Sequence, residues 1–193
     1  MIYEVTYEHL SELLEPRLGA RESDYVRRAY ETAERAHAGQ SRDEGFPYIV
    51  HPLRVAISLA DELGIYSPEM ISAALLHDVI EDSDATRGQI AAAFGEQAAL
   101  LVWLLTKREE VSLPDYLAAI EEAAETGAPI VKLCDHLDNL RFVTHSPMLE
   151  KKLRYVRTTE MYYLPMAERT NPYLYEELSR SLEAARLHVT ALA

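Results

Sequence analysis

The sequence predicts an all-α protein, and three observations carry that prediction. Glycine is scarce, at 7 of 193 residues, while long stretches are built from Ala, Leu, Glu and Arg. Apolar residues recur at helical rather than alternating spacing. Prolines stand at the start of these periodic stretches, where a missing N–H costs little.

The elements follow in order. Residues 7–14 make a short first helix. Residues 21–38 make a longer one, with Tyr25, Val26, Ala29, Tyr30, Ala33 and Ala36 near helical spacing and Gly39 as its stop. A polar loop from Gln40 to Tyr48 comes next, and loops flanked by rigid helices carry chemistry. A helix over 52–63 starts at Pro52, and Pro68 opens the helix that ends at His77 and Asp78. Thr86 and Gln89 fit a capping box. That helix ends near Gly95, and another runs to Thr106. Helices over 114–124, closed by Gly127, and over 129–144 come next. Two more, over 149–166 and 172–192, finish the chain. No internal repeat, low-complexity tract or linker interrupts it, so one compact domain over 1–193 is the expectation.

Composition narrows the function classes. The single cysteine, Cys134, excludes an intramolecular disulfide and a cysteine-based zinc cage. A reducing cytoplasm is the expected compartment. The N-terminus does not resemble a signal peptide, and no run approaches the roughly 18 apolar residues of a membrane span. The net charge of −13 argues against a nucleic-acid or anionic-membrane partner. A phosphorylated substrate would need a bound cation and a local basic patch to overcome that field.

The most informative run is Ala74-Leu75-Leu76-His77-Asp78-Val79-Ile80-Glu81-Asp82. An apolar helical stretch ends in one imidazole and three carboxylates. On a helix His77 and Glu81 share one face, and Asp78 and Asp82 the neighbouring one. The negative end of the helix dipole favours a cation there. With His51 upstream and Asp135 downstream, the order His…His-Asp…Asp offers imidazole and carboxylate ligands of the kind that suit Mn²⁺, Fe²⁺ or Zn²⁺.

The adjacent His77-Asp78 pair resembles that of HD-type metal-dependent phosphohydrolases. Longer blocks resemble the Rel/SpoT alarmone-hydrolase domain: residues 37–52 and 73–83, Phe94-Gly95-Glu96, Leu104-Leu105-Thr106-Lys107, and 131–141, with Tyr163-Leu164-Pro165-Met166-Ala167 echoing its closing helix. The similarity covers roughly 22–168, and residues 172–192 are expected to complete the bundle. It implies a compact HD-domain helical bundle acting as a stand-alone small alarmone hydrolase. The implied reaction is Mn²⁺-dependent release of pyrophosphate from the ribose 3′ position of (p)ppGpp, leaving GDP or GTP.

Residue by residue, the resemblance carries the metal ligands over to His51, His77, Asp78 and Asp135, and the catalytic acidic pair to Glu81 and Asp82. Arg42 carries the base-stacking arginine and Asn139 the asparagine that helps hold the nucleotide. Tyr48 and Lys132 are expected in the same pocket, with loop packing for Tyr48 and a carboxylate partner for Lys132 as the plainer readings. One departure stands out: the family's arginine after the last ligand is His136 here. An arginine stays charged and offers more donors, so His136→Arg is expected to raise activity.

Other residues receive plain expectations. Asp138 reads as a solvated helix residue and Cys134 as an inert buried thiol. His37 reads as a cap on its helix through a backbone carbonyl, or else as a group that orients the substrate loop. His9, His145 and His188 have no nameable partner. Arg141, Lys151, Lys152, Arg154 and Arg157 read as a solvated helical face balancing Glu150 and Glu160, or else as the local basic field the substrate needs. Competing functions are the same scaffold acting on adenine alarmones such as ppApp or on NADPH, a weakly active nucleotide-binding regulatory module, and a generic HD nucleotidase. A homo-oligomer is left open.

Overall fold

The computed structural model describes residues 5–43 and 45–191, and among them it holds eleven α-helices and no strand beyond an isolated bridge between Ser41 and Pro47. They are α1 Tyr7–Leu14, α2 Ala20–Ala36, α3 Val50–Ile57, α4 Pro68–Leu76, α5 Val79–Asp82, α6 Arg87–Leu105, α7 Leu113–Glu122, α8 Ala128–Phe142, α9 Leu149–Thr158, α10 Leu164–Thr170 and α11 Pro172–Thr190. The expected end of the last helix at Leu192 lies outside the described residues.

α4 is the central helix. Ile71 through Leu76 are all buried, so this helix is enclosed on every side rather than along one stripe. It packs against α2, α3, α6 and α8. Ser67 caps it by accepting from Met70 N at 3.3 Å, and Pro68 follows where no intrahelical N–H is needed. α8 is the second core helix; it lies against α3, α4, α7, α10 and α11. The buried face of α11, made by Leu174, Leu178, Leu182 and Ala185, closes the bundle over α8.

Several boundaries match the sequence expectation. Thr86 and Gln89 form the capping box, with Thr86 N donating to Gln89 Oε1 at 2.8 Å and Gln89 N to Thr86 Oγ1 at 3.3 Å. Gly95, at φ 85°, breaks the ladder of α6 in a conformation that disfavours other residues. The Phe94 carbonyl accepts from Tyr25 Oη at 2.8 Å, and that of Ala93 from Arg28 Nη1 at 3.2 Å. Gly127, at φ 82°, starts α8 where a Cβ would sit 2.7 Å from Met70 Sδ.

Two expected helices differ. The helix expected from Pro52 begins at Val50, because proline is tolerated anywhere in a first turn, and it gives way to a π-helical turn at Ser58–Glu62. His51 therefore sits inside the helix rather than ahead of it. The helix expected over 149–166 is interrupted by a π turn at Thr159–Tyr163 and runs on as α10. Pro165 cannot donate to the preceding turn and crowds its carbonyl, and a widened turn accommodates both effects. The expectation of no span-length apolar run also needs amending. α6 is long and apolar enough by composition, with a mean hydropathy of 1.3, although it buries Ile90, Phe94, Leu101, Val102 and Leu105 in the core.

Candidate active site

The four predicted metal ligands converge from three elements. His51 comes from the first turn of α3, His77 and Asp78 from the turn between α4 and α5, and Asp135 from the middle of α8. His51 Nε2 lies 3.1 Å from Asp135 Oδ1 and 3.8 Å from Asp78 Oδ2. His77 Nε2 lies 3.1 Å from Asp78 Oδ2 and 3.6 Å from Asp135 Oδ1. The imidazoles meet edge to face, with ring centroids 5.1 Å apart.

Each imidazole is oriented from behind. His77 Nδ1 lies 2.7 Å from the Ala74 carbonyl, which can only accept, so Nδ1 carries a proton. His77 Nε2 is buried and has no hydrogen-bond partner among the described residues. A buried orphan nitrogen facing two carboxylates asks for a positive charge between them. Burial alone would push the His77 imidazole down, yet Asp78 and Asp135 hold it well above its ordinary value. Burial likewise works to raise Asp78, and His77 holds it well below the carboxylate range. For Asp135 burial is outweighed by Lys132 and the two histidines. The donor set of two imidazoles and two carboxylates fits a divalent cation.

The remaining predicted residues form a shell around these four. Tyr48 Oη donates to Asp78 Oδ2 at 2.7 Å, while its ring stacks on His37 at 4.6 Å. Lys132 Nζ donates to Asp135 Oδ2 at 2.6 Å and lies over the Tyr116 ring. Asn139 Nδ2 donates to Asp135 Oδ1 at 2.7 Å. Arg42 Nη2 donates to Asn139 Oδ1 at 2.7 Å and stands over the Tyr48 ring. The loop carrying Arg42 and Tyr48 is pinched shut by Arg42 N to Phe46 O and Tyr48 N to Gln40 O, both 3.0 Å.

Glu81 and Asp82 sit exposed beside this cluster. Partial loss of solvent pushes the Glu81 carboxyl up, opposed by the Lys107 N–H that it accepts at 3.0 Å and reinforced by Asp78. Partial loss of solvent and then Asp78 push Asp82 up as well, against the nearby Tyr48 hydroxyl and the His37 imidazole. The structure thus brings together all ten residues singled out from the sequence.

Other expectations are corrected. Asp138 is not solvated; it is 5 % exposed and accepts from both His51 and Arg54. The sequence holds only indirect signals for it: it falls one turn after Asp135, and Arg54 puts a charge in an apolar helix with no local partner to show which residue meets it. His37 bonds Gln40 Oε1 through Nδ1 at 2.8 Å instead of capping a carbonyl. His145 finds the Phe142 carbonyl, His188 finds Lys152, and His9 accepts from Thr6 N. The basic run is divided: Arg154 and Arg157 are exposed, as a solvated face requires, but the other three are engaged. Arg141 pairs with Glu62 and Glu177, Lys152 is buried, and Lys151 reaches Asp43 in the Arg42 loop at 2.6 Å. A cavity of about 540 Å³ lies away from the donors. It lies among α3, α8 and α11, with Arg54 and Asp138 in its wall.

Comparison with known proteins finds clear relatives of this chain. A family model described as an HD domain matches residues 29–171. The chain is 40% identical over 153 residues to the guanosine-3′,5′-bis(diphosphate) 3′-pyrophosphohydrolase of Aquifex aeolicus, covering 76% of this chain and 22% of that one. It is 35% identical over 172 residues to the bifunctional (p)ppGpp synthase/hydrolase SpoT of Escherichia coli, covering 84% and 24%. A GTP pyrophosphokinase of Streptomyces coelicolor is 35% identical over 162 residues, covering 80% and 19%. The chain therefore spans about a fifth to a quarter of the length of these relatives. A solved structure, reported as a metazoan ortholog of SpoT that hydrolyzes ppGpp, superposes with a TM-score of 0.72 at 27% identity and covers 83% of this chain and 94% of that one.

Proposed function

Because this chain belongs to the HD domain family, we propose that it is a Mn²⁺-dependent (p)ppGpp 3′-pyrophosphohydrolase. The observation that carries the reading is the convergence of His51, His77, Asp78 and Asp135 beneath a loop that presents Arg42 and Tyr48. The ppGpp hydrolase activities named for relatives at 35–40% identity support the substrate class.

A divalent cation held by these four residues supplies polarisation of a phosphoryl oxygen and a lowered pKa for water. The protein's own groups do the rest. Arg42, planar and permanently charged, stacks on the purine. Asn139, able to donate and accept, holds a ribose or phosphate oxygen. Lys132 keeps Asp135 ionised and adds positive charge that the net charge of −13 would otherwise deny the phosphates. Glu81 and Asp82 orient a water and take its proton. The water oxygen bonds to the phosphorus on the 3′ oxygen, that P–O bond breaks, pyrophosphate leaves, and the 3′ oxygen takes up a proton. A cytoplasmic location belongs to the same proposal. The lone thiol, Cys134, is an inert group within it, pushed up to about 12 by burial.

The test is product release from ppGpp by the purified protein, with Mn²⁺ and then with EDTA. Pyrophosphate and GDP, abolished by EDTA, is the expected result. No turnover of ppGpp by metal-loaded protein, with turnover of ppApp or NADPH, would move the assignment to those nucleotides. Turnover unchanged in Asp78→Ala would overturn the mechanism.

A further inference from the structure

His51 and His77 are oriented in different ways. The partner of His77 Nδ1 is a backbone carbonyl, which any sequence would supply. The partner of His51 Nδ1 is the Asp138 carboxylate, with Oδ2 at 2.6 Å. Asp138 is gripped in turn by Arg54, whose Nε donates to Oδ1 at 2.7 Å and whose Nη2 donates to Oδ2 at 3.1 Å. Arg54 stands over Phe142, its guanidinium carbon 3.8 Å from the ring centroid. All three polar side chains are buried.

From this geometry we infer that Asp138 is the positioning residue for the metal ligand His51, and that Arg54 sets Asp138. An ionised carboxylate only accepts, so His51 Nδ1 must donate to it. The lone pair is thereby fixed on Nε2, the nitrogen that faces Asp135 and Asp78. A carboxylate behind an imidazole also raises its basicity as a ligand, and such partners are worth tenfold to a hundredfold in metal affinity. Arg54 balances the added negative charge and removes the freedom of the carboxyl to rotate. Without Arg54, Asp138 would be a buried uncompensated charge. The pair also lines the cavity among α3, α8 and α11.

This inference rests on the metal reading of the four donors and not on the identity of the nucleotide. The experiment is calorimetric titration of Mn²⁺ into chelator-stripped wild type, Asp138→Asn and Arg54→Lys, with the melting temperature of each measured in EDTA. We expect Asp138→Asn to weaken Mn²⁺ binding by about 10- to 100-fold. Arg54→Lys keeps the charge but loses the two-point grip, and a weakening of several-fold is expected. A merely structural pair would lower the melting temperatures and leave the affinity of the folded protein unchanged. That result overturns the inference and leaves the metal reading standing. Wild type that takes up no Mn²⁺ overturns both. If Asp138→Asn does not fold, Arg54→Lys decides alone, and wild-type affinity in that variant overturns the inference.

Discussion

Arg42 and Asn139, 97 positions apart, are joined by a 2.7 Å hydrogen bond from guanidinium to side-chain carbonyl. The amide of Asn139 passes the tether on to Asp135 Oδ1 at 2.7 Å. The loop after α2 is thus wired to the proposed metal ligand Asp135 on α8, and the two residues should fail differently. Arg42→Ala removes only the outer end, so KM for ppGpp should rise about tenfold, roughly 1.4 kcal/mol of binding, while Mn²⁺ affinity holds. Asn139→Ala frees Asp135 Oδ1 as well, so Mn²⁺ affinity and kcat should both fall. Steady-state kinetics alongside metal titration separates the two. Equal metal affinity in both variants would show that the relay carries nothing.

The acidic pair should act on kcat and on its pH dependence. Glu81→Gln and Asp82→Asn should each lower kcat by about 10²-fold or more and leave Mn²⁺ binding close to wild type, because neither is a ligand. Both carboxyls are pushed up, first by partial loss of solvent. A base must be deprotonated to work, so activity falls as pH drops through the raised values. The acidic limb of the kcat profile should therefore lie above the ordinary carboxylate range. A limb at or below that range in wild type would show that another group is the base.

Much of this arrangement was readable from residue order because it is local. Ser67 with Pro68, Thr86 with Gln89, and Gly95 each set a boundary through chemistry within four residues. His77, Asp78, Glu81 and Asp82 share one short run. The unreadable parts are those made by contact across the fold. Asp138 looked solvated because the charges that satisfy it, His51 and Arg54, lie 87 and 84 positions away. The π turns at Ser58–Glu62 and Thr159–Tyr163 arise where packing or Pro165 shifts a ladder that the apolar periodicity would continue.

His136 lies between Tyr155 and Tyr163, with ring centroids 5.5 Å and 3.4 Å away and planes within 12° and 4°, and its Nε2 meets Thr159 Oγ1 at 2.8 Å. Burial pushes its pKa down to about 3, so it is neutral at pH 7. A guanidinium is also flat and stacks on aromatic faces, so this slot accepts an arginine, which would add a full positive charge next to Asp135. His136→Arg should raise kcat/KM for ppGpp by up to about tenfold, at a cost of about 1–3 kcal/mol in stability from the larger buried side chain. Kinetics and chemical denaturation of the same variant read both effects. An unchanged or lower rate would count against a role for charge at this position.

Away from the site, Glu62 ties the π turn after α3 to α8 and α11. It accepts from Arg141 at 2.7 Å and 2.8 Å and from Tyr173 at 2.7 Å, and Arg141 also reaches Glu177. Burial would raise the Glu62 carboxyl, but the Arg141 and Tyr173 hydrogen bonds hold it below its ordinary 4.5. The folded state therefore favours the ionised form. Its contribution to stability is complete above that ordinary value and is lost as pH falls through the lowered one. Glu62→Gln should cost about 1–3 kcal/mol at pH 7, at the low end because Arg141 keeps Glu177. The difference between variant and wild type should shrink as pH falls below the ordinary value and through the lowered one, where the wild-type carboxyl itself takes up a proton. Urea denaturation at pH 7 and over a series of pH values below the ordinary carboxylate range measures that difference directly. A difference that stays constant with pH would show that the Glu62 charge contributes nothing and that only the shape of the side chain matters.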